Sequence, residues 1–172
     1  MITISYSAFF LAAALGNIAL WGIIRGESER GEKFREISLA MYRAVQIGVV
    51  LLAVGIIMGG VWADYSWGRF WGWDPKETWA FIAFMGYIGV LHGRISGMLR
   101  AFGFVAAVVI SFALVIMAWY GVNYVLGAGL HSYGFGAGGV EYVAAVVGAQ
   151  ILFVAFVGYR LKHPRQMKTV QS

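Results

Sequence analysis

Five stretches of the chain run for about twenty residues each with almost no charge, which is the length a helix needs to cross the hydrocarbon core of a bilayer. They cover about 2–24, 38–62, 78–98, 101–125 and 140–160. Of the 172 residues, 60% are hydrophobic and only 12% charged, too few polar side chains to cover a soluble domain of this size. The expected fold is all-α: a polytopic membrane helix bundle with about five transmembrane helices. No repeat, linker or low-complexity tract divides it, so a single domain over 1–172 is expected.

The basic residues set an orientation. Arg25, Arg30, Lys33, Arg35 and Arg43 flank the first connection, Arg94 and Arg100 the third, and Arg160, Lys162, Arg165 and Lys168 follow the last span. Only Arg69 and Lys76, two of the thirteen Lys and Arg, fall on the opposite side. The positive-inside bias then places the N-terminus outside and the C-terminus in the cytoplasm. This distribution accounts for the net charge of +5 as membrane topology, and no nucleic-acid partner is expected. The opening MITISYSAFF has no Lys or Arg before its apolar run and no small-residue cleavage site after it, so it reads as a retained membrane helix. With no cysteine, the chain has no disulfide, thiolate ligand or thiol nucleophile. Gly55 and Gly59 have the small-xxx-small spacing of close helix packing.

Between the second and third spans stands WGRFWGWDPKETW, residues 67–79, within an outer segment of about 62–78. Its end is built to start a helix: Asp74 as N-cap, Pro75 at the first helical position, Glu77 at the capping-box position. Interfacial tryptophans are ordinary, but Trp62, Trp67, Trp71, Trp73 and Trp79 are denser than an interfacial belt needs. A helical turn would set Trp67 and Trp71 on one face, as a platform for a flat apolar ligand. Arg69 and Lys76 are placed to meet carboxylates on it. Haem, a quinone and a lipid all satisfy that description.

The three histidines differ in setting. His92 lies inside the third span, about 22 Å beyond Glu77 along a helix and toward the cytoplasmic side. An ionisable residue there is a functional candidate, or else a neutral side chain bonded to a neighbour. His131 lies in the glycine-rich outer loop of about 126–140, GAGLHSYGFGAGG. It is a candidate axial ligand for haem iron, or an exposed loop histidine. His163, in the basic tail, is given no role.

Taken together, WGRFWGWDPKETW, a following span with a histidine, and GVNYVLGAGLHSYGFG resemble the tryptophan-rich WWD signature of CcsA-type haem-handling proteins of cytochrome c biogenesis, part of the system II cytochrome c synthase. The likeness is specific over about 59–136, and residues 1–58 share only general hydrophobicity. It implies that Trp67, Trp71, Trp73 and Asp74 belong to the segment that holds haem b at the outer face, where Arg69 would pair with a propionate. It implies that His131 ligates that external haem and that His92 serves an inner haem site. The implied activity is to receive haem and present it to the CxxCH thiols of an apocytochrome c, as part of a cytochrome c haem lyase or synthase. The implied location is the bacterial plasma membrane or, alternatively, the thylakoid. The chain departs from the family in being short and in having no histidine before His92. A second membrane subunit supplying the missing histidines, a non-histidine second ligand, and haem binding without synthase activity each fit that departure. The alternative class is a non-catalytic haem b or quinone-binding anchor of an electron-transfer complex, which would pair histidines on facing helices.

Overall fold

In an apolar phase the backbone amides of an uncharged chain have only one another to bond, and a helix satisfies them all within one segment. The computed structural model describes residues 1–126 and 139–163, and it is helical throughout apart from short connections. The elements are α1 (Ile2–Ile24), α2 (Glu32–Trp67), α3 (Pro75–Ile95), α4 (Ala101–Ile116) with a π-helical continuation (Met117–Leu126), and α5 (Val140–Lys162). Among the described residues, four helices are long and apolar enough to cross a membrane: α1, α2, α4 with its continuation, and α5. The remaining one, α3, is comparable in length but carries Lys76 and Glu77 near one end and His92 and Arg94 near the other.

Helix α3 begins and ends three residues before its expected span, and two elements depart further. Helix α2 begins six residues before the apolar run and ends five after it. Charged EKFRE residues are good helix formers, so the helix continues past the hydrocarbon into polar surroundings. Its 36 residues reach about 54 Å, against a core of about 30 Å. The fourth span changes helix type instead: from Met117 it is π-helical, a wider coil usually confined to single turns and often found at functional sites. Within it, Asn123 Nδ2 donates to the Trp119 carbonyl at 2.7 Å.

The core lies where α1, α2, α3 and α4 meet. Phe9 stacks on Tyr87 with ring centres 3.9 Å apart and planes 7° from parallel, and both are fully buried. Lipid tails are as apolar as leucine, so close packing rather than water exclusion holds such helices together. Glycines supply that closeness. A Cβ on Gly48 would come within 2.6 Å of the Phe9 ring, and one on Gly16 within 2.5 Å of Val109. The Gly55/Gly59 pair divides: Gly55 meets Ile2 of α1, whereas a Cβ on Gly59 would have nothing within 4 Å. Helix α5 packs on α1 and α4, and two polar contacts tie it to α1. Gln150 Nε2 donates to Asn17 Oδ1 at 2.9 Å, and Arg160 Nη1 donates to the Ile24 carbonyl at 3.4 Å.

This arrangement gathers the start of α1, the end of α2, the start of α3, the π-helical segment and the start of α5 at one end of the bundle.

Candidate functional site

The tryptophan-rich segment is a loop fixed at both ends. Helix α2 stops because Gly68 takes a left-handed conformation, φ 70°, while its N–H closes the last turn on the Asp64 carbonyl at 2.8 Å. Helix α3 starts with the expected capping box. Asp74, only 6% exposed, accepts from Lys76 N at 3.0 Å. The Glu77 carboxylate reaches back to accept from Asp74 N at 3.2 Å and also from Gly72 N at 2.9 Å. Thr78 Oγ1 donates to the Trp73 carbonyl at 3.3 Å. One glutamate thus holds the loop on both sides of Trp73.

Trp73 needs holding. Among the described residues it is the only non-glycine with positive φ, at 55°. A side chain in that conformation costs about 1–2 kcal/mol. The cost does not bury the ring, which is 69% exposed. Strain that leaves a large ring mostly exposed points to a role in what the loop presents.

The rings do not form the platform expected of a helical turn. Trp67 is the last residue of α2, and after Gly68 the chain is no longer helical, so Trp71 is not one turn further on the same face. Two edge-to-face groups form instead. Trp67 meets Trp62 with centres 4.9 Å apart, while Trp71 meets Trp73 at 5.8 Å and Phe81 at 6.3 Å. Arg69 is half-buried and folds over Gly72, where a Cβ would collide with its guanidinium.

Behind the loop lies a cavity of about 990 Å³. That is near the top of the range for small-molecule and cofactor sites, about 300–1,000 Å³. Trp62, Phe70, Trp71, Trp119, Tyr120 and Tyr142 line the end nearest the loop. Gly59 explains part of the space, since its missing side chain leaves the α2 wall open. Lys76 and Glu77 are the charged residues of the lining. Lys76 Nζ donates to Asn123 Oδ1 at 3.4 Å, joining the start of α3 to the π-helical segment. Lys76 precedes the apolar stretch of α3. Partial burial pulls its ammonium below the ordinary lysine range, and the Asp74 carboxylate opposes that shift.

Of the residues singled out from sequence, Trp62, Trp71, Lys76 and Glu77 line the cavity, Trp67 ends α2, and Arg69, Trp73 and Asp74 belong to the connection that follows, none of them in the lining. His92 is not brought to them. It lies in the last turn of α3, exposed on the helix surface and about 25 Å along the axis from Pro75. His131 lies outside the described residues. His163 caps the end of α5, its ring 4.6 Å from that of Tyr159. Among the described residues no three His, Asp or Glu side chains gather as a metal site. Sequence reading missed Phe70, Trp119 and Tyr120 as lining. The signal for the last two was AWYGVNY, an aromatic and polar patch inside an otherwise aliphatic span.

The architecture defines a class: a polytopic membrane protein with a ligand-sized apolar cavity at one end of the bundle, lined in part by an aromatic loop. The sequence comparison makes the assignment specific. The family described as Cytochrome C assembly protein matches residues 1–131, and the chain belongs to that family. It is 47% identical over 100 residues to the cytochrome c biogenesis protein CcsA of Prochlorococcus marinus strain MIT 9215, covering 58% of this chain and 32% of that protein. The CcsA proteins of Panax ginseng and Nicotiana tomentosiformis are each 40% identical over 105 residues, 61% of this chain. The match covers 32% and 33% of those two proteins. The chain thus spans about a third of the length of the curated relatives it matches.

Proposed function

We propose that this chain handles haem b in cytochrome c biogenesis, holding it at the outer membrane face for attachment to the CxxCH thiols of an apocytochrome c. The observation that carries this reading is the Trp73 loop, held by Glu77 beside a large apolar cavity that Phe70, Trp71 and Glu77 help to line. Family membership supports it.

The residues fit the cargo. Haem is a flat apolar body with two carboxylates on one edge. The cavity offers aromatic walls, and its cationic lining residue, Lys76, lies at the loop end with Arg69 nearby in the loop. Haem would bring the vinyl groups that thiols attack. The chain has no cysteine of its own, so the acceptor supplies those thiols. The work of this protein is then to bind, orient and exclude water, which lowers the barrier by positioning. His131 is the axial ligand in this reading, and the site opens to the side away from the cytoplasm. His92, at the other end of α3, serves an inner position. A second membrane subunit supplies the remaining histidines, and the complex resides in the bacterial plasma membrane or, in photosynthetic settings, the thylakoid.

The test is a pyridine haemochrome assay on gently solubilised protein with whatever co-purifies. His131→Ala is expected to lower bound haem about tenfold, equivalent to about 1.4 kcal/mol. Wild-type haem content in that variant would overturn the ligand assignment. Trp73→Gly separates stability from function. Releasing the left-handed strain is expected to keep or raise thermal stability, by about 1 kcal/mol at most, while haem retention falls. A variant that melts earlier and keeps its haem would make Trp73 a folding residue only.

A further inference from the structure

A single amide side chain, Asn123, interrupts the fourth span, half-buried in its π-helical continuation. Its two ends are told apart by their partners. A carbonyl can only accept, so the nitrogen faces the Trp119 carbonyl, at 2.7 Å. That turns Oδ1 toward Lys76 Nζ, which can only donate, at 3.4 Å. Reversing the amide would set acceptor against acceptor and donor against donor. The coil that carries it is braced as well: Tyr124 stacks on Tyr120 with ring centres 4.7 Å apart and planes 24° from parallel. Trp119 and Tyr120 line the cavity, and Asn123 stands outside the lining. The π-helical segment thus gives the cavity its rings and gives the cationic residue of the cavity wall an acceptor.

Lys76 gains from that acceptor. A lysine ammonium rides on a flexible four-carbon stem. Bonded to Asn123, it is held where the start of α3 meets the π-helical segment. The bond is long and its acceptor neutral, so a carboxylate entering the cavity outcompetes it. Glu77, the other charged residue of the lining, would repel such a group, but its carboxylate is turned to the backbone of the loop at Gly72 and Asp74.

We propose that Asn123 is a positioning residue for Lys76, and that the pair makes the cavity select cargo with a free carboxylate over a neutral ring of the same shape. The inference rests on the haem reading and narrows it. Of the flat ligands that suit aromatic walls, a quinone has no carboxylate and haem has two.

The experiment titrates the full chain, prepared without haem in nanodiscs, with ferric haem b and separately with its dimethyl ester. The ester keeps the ring and the vinyl groups and caps both carboxylates. Quenching of tryptophan fluorescence reads binding. The quantity compared is the ratio of the two affinities, variant against wild type, which cancels the partition of each ligand into the bilayer. Asn123→Leu is expected to lower that ratio about tenfold through haem alone, with the ester binding as in wild type. Lys76→Met is expected to do the same, and the double variant to add nothing further. Asn123→Asp keeps the size of the side chain but sets a carboxylate beside the ammonium, and is expected to lower haem binding at least as far. An unchanged ratio in Asn123→Leu overturns the proposal. So does equal loss of both ligands, which would make Asn123 a folding residue only. Should Asn123→Leu not fold, Asn123→Asp decides by the same ratio. A wild type that binds haem, with a ratio that Lys76→Met leaves unmoved, sinks this inference and spares the haem reading. A wild type that takes up neither ligand sinks both.

Discussion

Protein carrying Glu77→Ala is expected to purify with no more than about a tenth of the wild-type haem, and Glu77→Gln with most of it. The wild-type carboxylate accepts from two backbone N–H groups, Gly72 and Asp74, which bracket the strained Trp73. Each hydrogen bond to a charged group contributes about 1.5–3 kcal/mol where water is excluded. Gly72 is exposed, so a combined loss of about 2 kcal/mol is the reasonable figure after screening. That exceeds the roughly 1.4 kcal/mol of a tenfold change. Alanine removes both acceptor oxygens and frees the loop to relax Trp73 to negative φ. Glutamine keeps one acceptor oxygen and still completes a capping box. The measurement is haem per protein by haemochrome, with tryptophan fluorescence reporting the loop. Wild-type haem in Glu77→Ala would mean that the loop conformation is irrelevant to cargo.

The second large effect is on the bundle itself. Gly48→Ala is expected to melt well below wild type, and Gly48→Leu not to accumulate as folded protein. A Cβ at Gly48 would lie 2.6, 2.8 and 3.0 Å from three atoms of the Phe9 ring. That ring cannot withdraw, because Tyr87 is stacked behind it and both are fully buried. Overpacking of this kind costs about 1–3 kcal/mol. The better helix propensity of alanine, about 1 kcal/mol, offsets only part of it. The check is the temperature of half-loss of folded protein in detergent, with Gly59→Leu as the comparison. The second glycine is on the same helix but faces the cavity, so its variant is expected to stay near wild type. Gly48→Ala melting at or above wild type would show that α1 and α2 can separate without loss.

Much of this was legible in the residues. Apolar run length marks where helices cross a bilayer, and α1 and α5 fall within two residues of the expected bounds. The capping box at Asp74–Glu77 is a local signal and was read directly. What failed was everything set by packing between distant segments. The α2 overrun escaped notice because hydropathy reports the solvent around a helix, not where its hydrogen bonding ends. The left-handed Gly68 broke the expected pairing of Trp67 and Trp71, and a lone glycine in a glycine-rich sequence gives no sign of that. The π-helical segment has no periodicity to read at ten residues. The cavity arises where Gly59, Phe112, Trp119 and Tyr142, far apart in sequence, face a common space.

The modest apolarity of α3 has a consequence for biosynthesis. Insertion machinery partitions each segment on its own hydrophobicity. A helix with charged ends, whose buried residues Ala83, Tyr87 and Val90 pack into the core shared with other helices, gains little by entering lipid alone. Its packing partners are α2 before it and α4 after it, so α3 is expected to settle once α4 has been synthesised. The tryptophan loop is tethered to α3 through Glu77 and cannot take its strained shape earlier. The nascent chain is then expected to pass through a stage with its outer helices in the membrane and the tryptophan loop still unformed.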